Sequence, residues 1–136
     1  MIRVYLAARF PRRPEMIVCR EQLAKVGIEV TSRWLDTEVS EDDGKKRREN
    51  AIMDLEDIDR SDCLIMFSDP PGTPNKGGRH TEFGVALALG KQIMIVGEAE
   101  NVFHSLGEPQ IKIVKNWEEA ARVLCRVKLI SEGVYA

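Results

Sequence analysis

Short apolar runs alternate with helix-like patterns along the whole chain. Five runs rich in apolar or β-branched residues predict buried strands, and in chain order they read IRVYLA, IEVTSRW, CLIMFS, QIMIVG and IKIV. Strands that alternate with helices predict a single α/β domain, residues 1–136, in which helices cover both faces of a parallel sheet. Such sheets bind ligands beyond the carboxyl ends of their strands, so we expect function in the loops after the first four strands.

Apolar residues at helical spacing predict four helices between and after these strands. They cover residues 16–26, 45–60, 79–89 and 117–127. The prolines at residues 11–14 break the chain before the first helix, Gly27 closes it, and Asn116 is the expected N-cap of the last. The polar stretch at residues 36–44 has no apolar periodicity and predicts a loop.

The composition is that of an ordinary soluble protein. Of 136 residues, 43% are apolar and 31% charged, and the net charge of -2 gives no positive field to hold a nucleic-acid polymer or an anionic membrane. The apolar start is too short for a signal-peptide core or a membrane span, so we expect a cytoplasmic protein. Cys19, Cys63 and Cys125 form no CxxC pair, which favours reduced thiols over disulfides or a zinc site.

Several common catalytic motifs are missing from the sequence. The loop after the first strand, AARFPRRPE, contains no glycine, so it cannot form the glycine-rich turn of dinucleotide-binding folds. No GxSxG occurs, and Cys63 has no neighbouring histidine. His80 and His104 lack a third ligand at a characteristic metal-site spacing. We therefore predict neither a cofactor nor a bound metal.

Glu82 is the first candidate catalytic residue. It follows a glycine-rich loop in GGRHTEFGVALALGK and is expected in the first turn of the third helix, at a strand-end cleft. Unpaired amides at a helix start favour negative charge, which would keep this carboxylate ionised as a nucleophile. Favourable interaction with the helix dipole also explains an acid in a first turn, so position alone leaves both interpretations open.

Asp54 is the second candidate. The apolar face of the second helix comprises Ala51, Ile52, Leu55 and Ile58. At about 100° per residue, Asp54 lies at the margin of this face, where a carboxylate can be half buried. The other acids of this part of the helix are expected to form a solvated surface. They are Glu56, Asp57 and Asp59.

Three segments resemble the nucleoside 2-deoxyribosyltransferase family, which includes hydrolases of deoxynucleoside 5'-monophosphates. The segments are YLAARF, DLEDIDRSD and GRHTEFGVALALGK, and the resemblance covers most of the chain. It implies a flavodoxin-like fold, which is a three-layer sandwich around a five-stranded parallel sheet. It also implies cleavage of an N-glycosidic bond by a glutamate in a Gly-x-x-x-Glu-x-Gly helix start, here Gly78, Glu82 and Gly84.

The resemblance implies roles for other residues as well. Asp54 would orient the substrate or protonate the leaving base, and Tyr5 would contact the glutamate. A polar residue contributed across a dimer matches Asn101 or Ser105, so active sites would be shared in a homodimer or larger homo-oligomer. The remaining substrate-binding positions expected at the strand ends are Ala8, Phe10, Ser68 and Gly78.

Two positions depart from the family pattern. His80 stands where members often have a glycine two residues before the glutamate, and Arg9 replaces a small residue after the first strand. Both flank the expected phosphate or base of the substrate. Arg9, Arg12 and Arg13 could supply an anion site near a helix start, or they could be solvated there. Trp34, expected at the end of the second strand, could stack on a nucleobase or pack in the core.

These features together predict an enzyme that acts on a small-molecule nucleoside or nucleoside 5'-monophosphate with retention. Glu82 attacks the anomeric carbon while the base departs, and water or a second base then resolves the glycosyl-enzyme. The alternative is a non-catalytic nucleotide-binding module, in which the carboxylates only hydrogen-bond the sugar. Release of free base in excess over protein distinguishes the two.

Overall fold

A five-stranded sheet forms the middle layer of the molecule. The computed structural model describes residues 2–37, 44 and 46–133. The strands are β1 (Arg3–Ala7), β2 (Glu29–Val30), β3 (Cys63–Phe67), β4 (Gln92–Val96) and β5 (Ile111–Val114). All pairings are parallel, in the order β2-β1-β3-β4-β5. This order is the flavodoxin-like one, and the predicted five-stranded parallel sheet is confirmed.

Helices cover both faces of this sheet. They are α1 (Arg13–Lys25), α2 (Arg47–Arg60), α3 (Gly78–Ala88) and α4 (Trp117–Ser131). On one face, α1 and α4 meet where the Trp117 indole donates to Gln22 Oε1 at 2.6 Å and its ring lies 5.9 Å from that of Phe67. On the other face, α2 and α3 pack against each other and against β1. The predicted three-layer α/β arrangement is confirmed.

The helix ends mostly follow the signals in the sequence. After α1, Gly27 has φ 77°, a left-handed conformation that favours glycine. Asn116 Oδ1 accepts the backbone N–H of Glu119 at 2.9 Å and caps α4 as predicted. α1 begins at Arg13, however, so Pro14 lies inside its first turn instead of before the helix. Proline is tolerated there because the N–H that it lacks has no intrahelical partner.

The second predicted strand, IEVTSRW, is much shorter than expected. Only its Glu29–Val30 segment forms a strand on β1. The chain then turns away, because Ser32 Oγ accepts the backbone N–H of Leu6 at 2.7 Å in place of a strand carbonyl. Trp34 therefore does not end a strand and lies in the 3₁₀ helix Arg33–Asp36.

The polar segment and helix after Trp34 differ in part from the predictions. Of the loop predicted at residues 36–44, residues 38–43 lie outside the described part of the chain. In α2, Ile58 is fully buried, whereas the other members of the predicted apolar face are exposed. Those members are Ala51, Ile52 and Leu55.

Asp57 is the clearest correction on α2. It was expected on a solvated acidic surface, yet its side chain is fully buried. Its carboxylate accepts the backbone N–H and the Nε–H of Arg33, at 2.9 and 2.8 Å, and the Nη2 of Arg60 at 2.8 Å. A carboxylate can occupy an interior position when cations and hydrogen-bond donors compensate its desolvation. The acid thus joins α2 to the 3₁₀ helix that follows β2.

The three cysteines are free thiols. Cys19 and Cys63 are buried, and Cys125 is half-buried. Burial raises the pKa of the Cys19 and Cys63 thiols to about 12. Both therefore stay protonated near neutral pH and behave as small apolar core groups.

Candidate active site

A cavity of about 960 Å³ opens at the carboxyl ends of β1 and β3. The strand order reverses here, because the chain leaves β1 for β2 on one side and returns to β3 on the other. Doubly wound α/β folds bind their ligands at such a reversal. The walls come from the residues after β1, from α2 and α3, and from the loop that precedes α3. The cavity therefore occupies the strand-end position at which we expected function.

Seven of the predicted site residues line this cavity: Ala8, Arg9, Phe10, Trp34, Asp54, Gly78 and Glu82. They come from four separate stretches of the chain, which the sheet and the two helices bring together. Tyr5 lies next to them, fully buried in β1. The predicted catalytic residues are thus gathered at one place.

The Tyr5 hydroxyl donates a hydrogen bond to Glu82 Oε2. This is the contact that the family resemblance implied. Burial raises the pKa of Tyr5 well above its usual value, and the negative charges of Glu82 and Asp54 raise it further. The phenol therefore stays protonated and can act as a donor. Glu82, on α3, accepts this hydrogen bond, and Asp54 lines the same cavity from α2.

Glu82 lies further into its helix than predicted. α3 begins at Gly78, which makes Glu82 its fifth residue instead of a member of the first turn. The earlier start is possible because Gly77 adopts φ 85°, a left-handed conformation that favours glycine. The amides without intrahelical partners belong to the first turn, so the argument from unpaired amides does not apply directly to this carboxylate. The Tyr5 hydroxyl supplies a donor in their place.

Asp54 faces the cavity from α2. Asn50 and Ala51 lie one turn before it and Ile58 one turn after it, and all three line the same wall. Residues three or four apart share a helix face, so this mostly apolar face forms a cavity wall. Ala51 and Leu55 are exposed for that reason. Asp54 itself is half-buried at the margin of the face.

Two aromatic rings form another wall. Phe10 and Trp34 both line the cavity, and their ring centroids lie 6.4 Å apart at an interplanar angle of 43°. The Trp34 indole donates to the backbone carbonyl of Leu6 at 2.8 Å, which fixes the ring although it is not in a strand. Trp34 is buried, so it packs in the core and also contributes to the wall. The two interpretations of this residue are compatible.

The three arginines after β1 have different surroundings. Arg9 lines the cavity, and its Nε donates to Asp69 Oδ2 at 3.0 Å. Arg12 bonds Asp69 and Glu15, at 3.2 and 2.7 Å, and its guanidinium carbon lies 5.4 Å from the Phe67 ring centroid. Arg13 Nε donates to a backbone carbonyl, that of Leu35, at 2.9 Å. Of this trio, Arg9 is the member that reaches the cavity wall.

Ser68 joins two loops beside the cavity. Its Oγ donates to the carbonyl of Val96 at 3.1 Å and accepts the N–H of Glu98 at 3.0 Å. A Cβ on Gly97 would lie 1.9 Å from that oxygen, so the close approach requires glycine there. Ser68 therefore holds the ends of β3 and β4 together.

The other predicted residues lie around a second, smaller cavity or beyond it. His80 lines this second cavity of about 380 Å³, between the loops after β3 and β4. Asn101 is exposed, its Oδ1 accepts the N–H of Phe103 at 3.0 Å, and its Nδ2 lies 3.5 Å from His80 Nδ1. Ser105 is exposed in the 3₁₀ helix Val102–Leu106. These residues do not meet the Tyr5–Glu82 pair within one chain.

A cluster of buried ion pairs was not anticipated from the sequence. Arg79, on the first turn of α3, is almost fully buried and makes two hydrogen bonds to Glu100, at 2.5 and 2.7 Å. Its Nη2 also lies 3.3 Å from Asp69 Oδ2. The only available signal was the position of Asp69 just after β3, at a strand end. Sequence reasoning likewise missed the other polar and charged wall residues, namely Thr37, Arg47, Asn50, Asn75, Lys76, Arg79 and Thr81.

Two absences hold for the described residues alone. Within residues 2–37, 44 and 46–133, no group of three or more His, Cys, Asp or Glu side chains could hold a metal ion. Across the same stretch, no helix has both the length and the apolar character needed to cross a membrane.

Comparison with solved structures gives three informative likenesses. A 2-deoxyribosyltransferase from Bacillus psychrosaccharolyticus is 21% identical, with a TM-score of 0.68 over 87% of this chain and 89% of that chain. The CMP N-glycosidase of Clostridium botulinum is 25% identical, with a TM-score of 0.53 over 90% and 97% of the two chains. A 3-dehydroquinate dehydratase-like protein from Bifidobacterium longum is 12% identical, with a TM-score of 0.51 over 93% and 98%.

No protein-family model and no curated protein sequence matches the chain. The third structural likeness illustrates that one α/β fold carries several functions, so the activity has to be argued from the site. The first two likenesses confirm the resemblance predicted from the motifs. The chain has the α/β fold of the nucleoside 2-deoxyribosyltransferases, the family that its sequence resembles.

Proposed function

We propose that this protein is an enzyme that cleaves the N-glycosidic bond of a nucleoside or nucleoside 5'-monophosphate. The observation that carries the proposal is the Glu82 carboxylate in a strand-end cavity, hydrogen-bonded by the protonated Tyr5 and accompanied by Asp54. Two carboxylates around one cavity are the groups that glycosidic cleavage requires. Both a 2-deoxyribosyltransferase and a CMP N-glycosidase share the fold, which supports this reaction class.

The chemistry proceeds in two steps through a covalent glycosyl-enzyme. In the first, a Glu82 oxygen attacks the anomeric carbon as the C–N bond breaks, and the departing base takes a proton that Asp54 delivers. In the second, water or another base attacks the anomeric carbon, the bond to Glu82 breaks, and the proton that the attacking group loses returns to Asp54. The Tyr5 hydrogen bond orients the Glu82 carboxylate for attack on the sugar.

The walls suit the remaining parts of a nucleotide. The rings of Phe10 and Trp34 offer an apolar surface for a base, because an aromatic face accepts any base by stacking. Arg9 is a cation in the same cavity and suits a substrate phosphate. A cavity of about 960 Å³ falls in the size range of small-molecule sites.

We infer that two copies of the chain complete the site, as the family resemblance implies. The 3₁₀ helix that carries Ser105 exposes large apolar side chains beside it, with Val102, Phe103 and Leu106 exposed by 78%, 59% and 63%. Exposed apolar groups of this kind are typical of an interaction surface. Asn101 and Ser105 lie on this surface and would reach the site of a second copy. Sedimentation at working concentration tests the dimer.

Base release from nucleosides and their 5'-monophosphates tests the activity. The protein is incubated with each substrate, with and without an acceptor base, and free base is measured by chromatography. We expect turnover in excess of protein for the wild type and for Glu118→Gln, an exposed glutamate of α4 that serves as the matched control. Glu82→Gln should be inactive. Ligand recovered intact, with an increase in thermal stability, would instead identify a non-catalytic nucleotide-binding module.

A further inference from the structure

Asp69 is a buried acid that lies outside the cavity and joins three arginines. Its side chain is 5% exposed. Arg9 Nε and Arg79 Nη2 lie 3.0 and 3.3 Å from its Oδ2, and Arg12 Nη1 lies 3.2 Å from its Oδ1. Arg9 and Arg12 belong to the segment after β1, and Arg79 belongs to α3. One carboxylate therefore connects two walls of the cavity from behind.

The first connection reaches the cavity through Arg9. This arginine lines the cavity, and its side chain is 27% exposed. A guanidinium group is planar and rigid, so a hydrogen bond from Nε to Asp69 fixes the direction of its two Nη groups. Asp69 thereby determines the direction from which a substrate would contact the Arg9 guanidinium.

The second connection reaches Glu82 through Arg79. The loop before α3, residues 70–77, is mostly exposed, whereas Arg79 in the first turn is buried. Arg79 is the second residue of α3, and its buried guanidinium binds both Asp69 and Glu100. Glu82 follows three residues later on the same helix. A displacement of the first turn would therefore move the Glu82 carboxylate relative to Tyr5.

We propose that Asp69 is a positioning residue that orients Arg9 directly and Glu82 through Arg79. Buried charges cost desolvation that apolar side chains would avoid, so a cluster of them beside a cavity is better explained by the geometry it imposes than by stability. The catalytic consequence rests on the proposed function, whereas the coupling of Asp69 to Tyr5 and Glu82 does not. The two can therefore be tested separately.

Asp69→Asn compared with Glu15→Gln tests the coupling without any substrate. Glu15 is the control, because its carboxylate also pairs with Arg12, at 2.7 Å, but does not line the cavity. The Tyr5 ring carbon that bears the hydroxyl is followed by NMR, since its chemical shift reports the hydrogen bond to Glu82. We expect this resonance to move in Asp69→Asn and to stay in place in Glu15→Gln. An unmoved resonance in folded Asp69→Asn, or equal movement in both variants, overturns the proposal.

Glu100→Gln provides a second variant if Asp69→Asn does not fold. Glu100 lies outside the main cavity, and its side chain is 20% exposed, so its replacement is less disruptive. It weakens the pair with Arg79, and we expect a smaller movement of the same Tyr5 resonance. Absence of any movement would contradict the path through Arg79.

Kinetics test the consequence for the reaction. For Asp69→Asn we expect kcat/KM of base release to fall by about tenfold to a hundredfold, the size of effect that a small misplacement of catalytic groups produces. In a protein that already carries Arg9→Ala, Asp69→Asn should lower kcat/KM by a smaller factor, because the connection from Asp69 to Arg9 is already lost. Glu15→Gln should stay within about twofold of the wild type. If the losses in kcat/KM from Asp69→Asn and Arg9→Ala simply add, Asp69 does not act through Arg9. If the wild type releases no base, the proposed function fails, and the Tyr5 resonance still tests the coupling of Asp69 to Glu82.

Discussion

Glu82 and Asp57 are carboxylates on neighbouring helices of the same sheet face, yet their surroundings differ. Asp57 is fully buried and accepts charged hydrogen bonds from Arg33 and Arg60. Glu82 lines a cavity and accepts the neutral hydroxyl of Tyr5. A carboxylate enclosed by cations is satisfied by the protein itself, whereas one that lines a cavity can present an oxygen to a ligand. The comparison teaches that a carboxylate has to reach the cavity to act on a ligand, whereas one enclosed by cations holds parts of the protein together.

Glu82→Gln should have the largest effect and act on activity alone. The substitution keeps the size of the side chain and a contact with Tyr5, but it removes the negative charge of the proposed nucleophile. We expect base release to fall by about 10⁴-fold or more, as for other nucleophile replacements. The midpoint of urea unfolding should stay near that of the wild type. If Glu82→Gln kept activity within about tenfold of the wild type, Glu82 would not be the nucleophile, and its contrast with Asp57 would not reflect chemistry.

Asp57→Asn should do the opposite and act on stability. It leaves two cations facing a neutral amide, and breaking a buried ion pair costs about 3–5 kcal/mol in general. Arg33 and Arg60 are partly exposed, at 49% and 43%, and can be hydrated. We therefore expect a loss near the lower end, about 3 kcal/mol, in the free energy of unfolding measured with urea. An unchanged unfolding midpoint would show that Asp57 is not the structural counterpart of Glu82.

Asp54→Asn should reduce activity less than Glu82→Gln does. Asp54 is half-buried and faces the cavity, but its proposed role is to give a proton to the departing base. Loss of a general acid lowers rates by about 10²–10⁴-fold, and we expect the lower part of that range. A substrate with a more acidic leaving base should be affected less by this change. Equal losses for good and poor leaving bases would contradict the proton-donor role.

Tyr5→Phe isolates the hydrogen bond to Glu82. The ring stays in the core, so the substitution removes little more than the hydroxyl. A hydrogen bond to a charged group contributes about 1.5–3 kcal/mol, which corresponds to a loss of about tenfold to a hundredfold in kcat if it acts in the reaction. The pH dependence of kcat should also change, because the carboxylate loses a donor. If kcat of Tyr5→Phe depended on pH as kcat of the wild type does, the phenol would have no effect on the Glu82 carboxylate in the reaction.

The smallest expected effect is the pH dependence of stability through His104. This histidine is fully buried, its Nδ1 accepts the N–H of Glu100 at 2.9 Å, and burial lowers its pKa, with a further lowering by His80. The folded protein thus favours the neutral form, and the stabilisation is present above the unfolded-state pKa of about 6.5. It is lost as the pH falls below that value. The urea midpoint should decline between about pH 7 and pH 5, and His104→Asn should flatten the decline.

Features of the fold could be predicted from the sequence where neighbouring residues determine them, and not where a contact between distant residues does. The strands β1, β3, β4 and β5 were predicted nearly to their ends, because each is a short, mostly apolar run between polar or glycine signals. The second strand was predicted too long, since nothing local shows that Ser32 takes the N–H of Leu6. Glu82 was found through its motif, but its place within α3 was one residue off, because the conformation of Gly77 decided where the helix begins.

The sequence by itself determined the order of strands and helices, the α/β class of the fold and the motifs that carry Glu82 and Asp54. These depend on hydrophobic period and on short spacings, which are local properties of the chain. Only the tertiary structure decided that Asp57 is buried between arginines and that Asp69 joins Arg9 to Arg79. Such pairs are far apart along the chain, and the field and burial that each carboxylate experiences exist only once the sheet has brought them together.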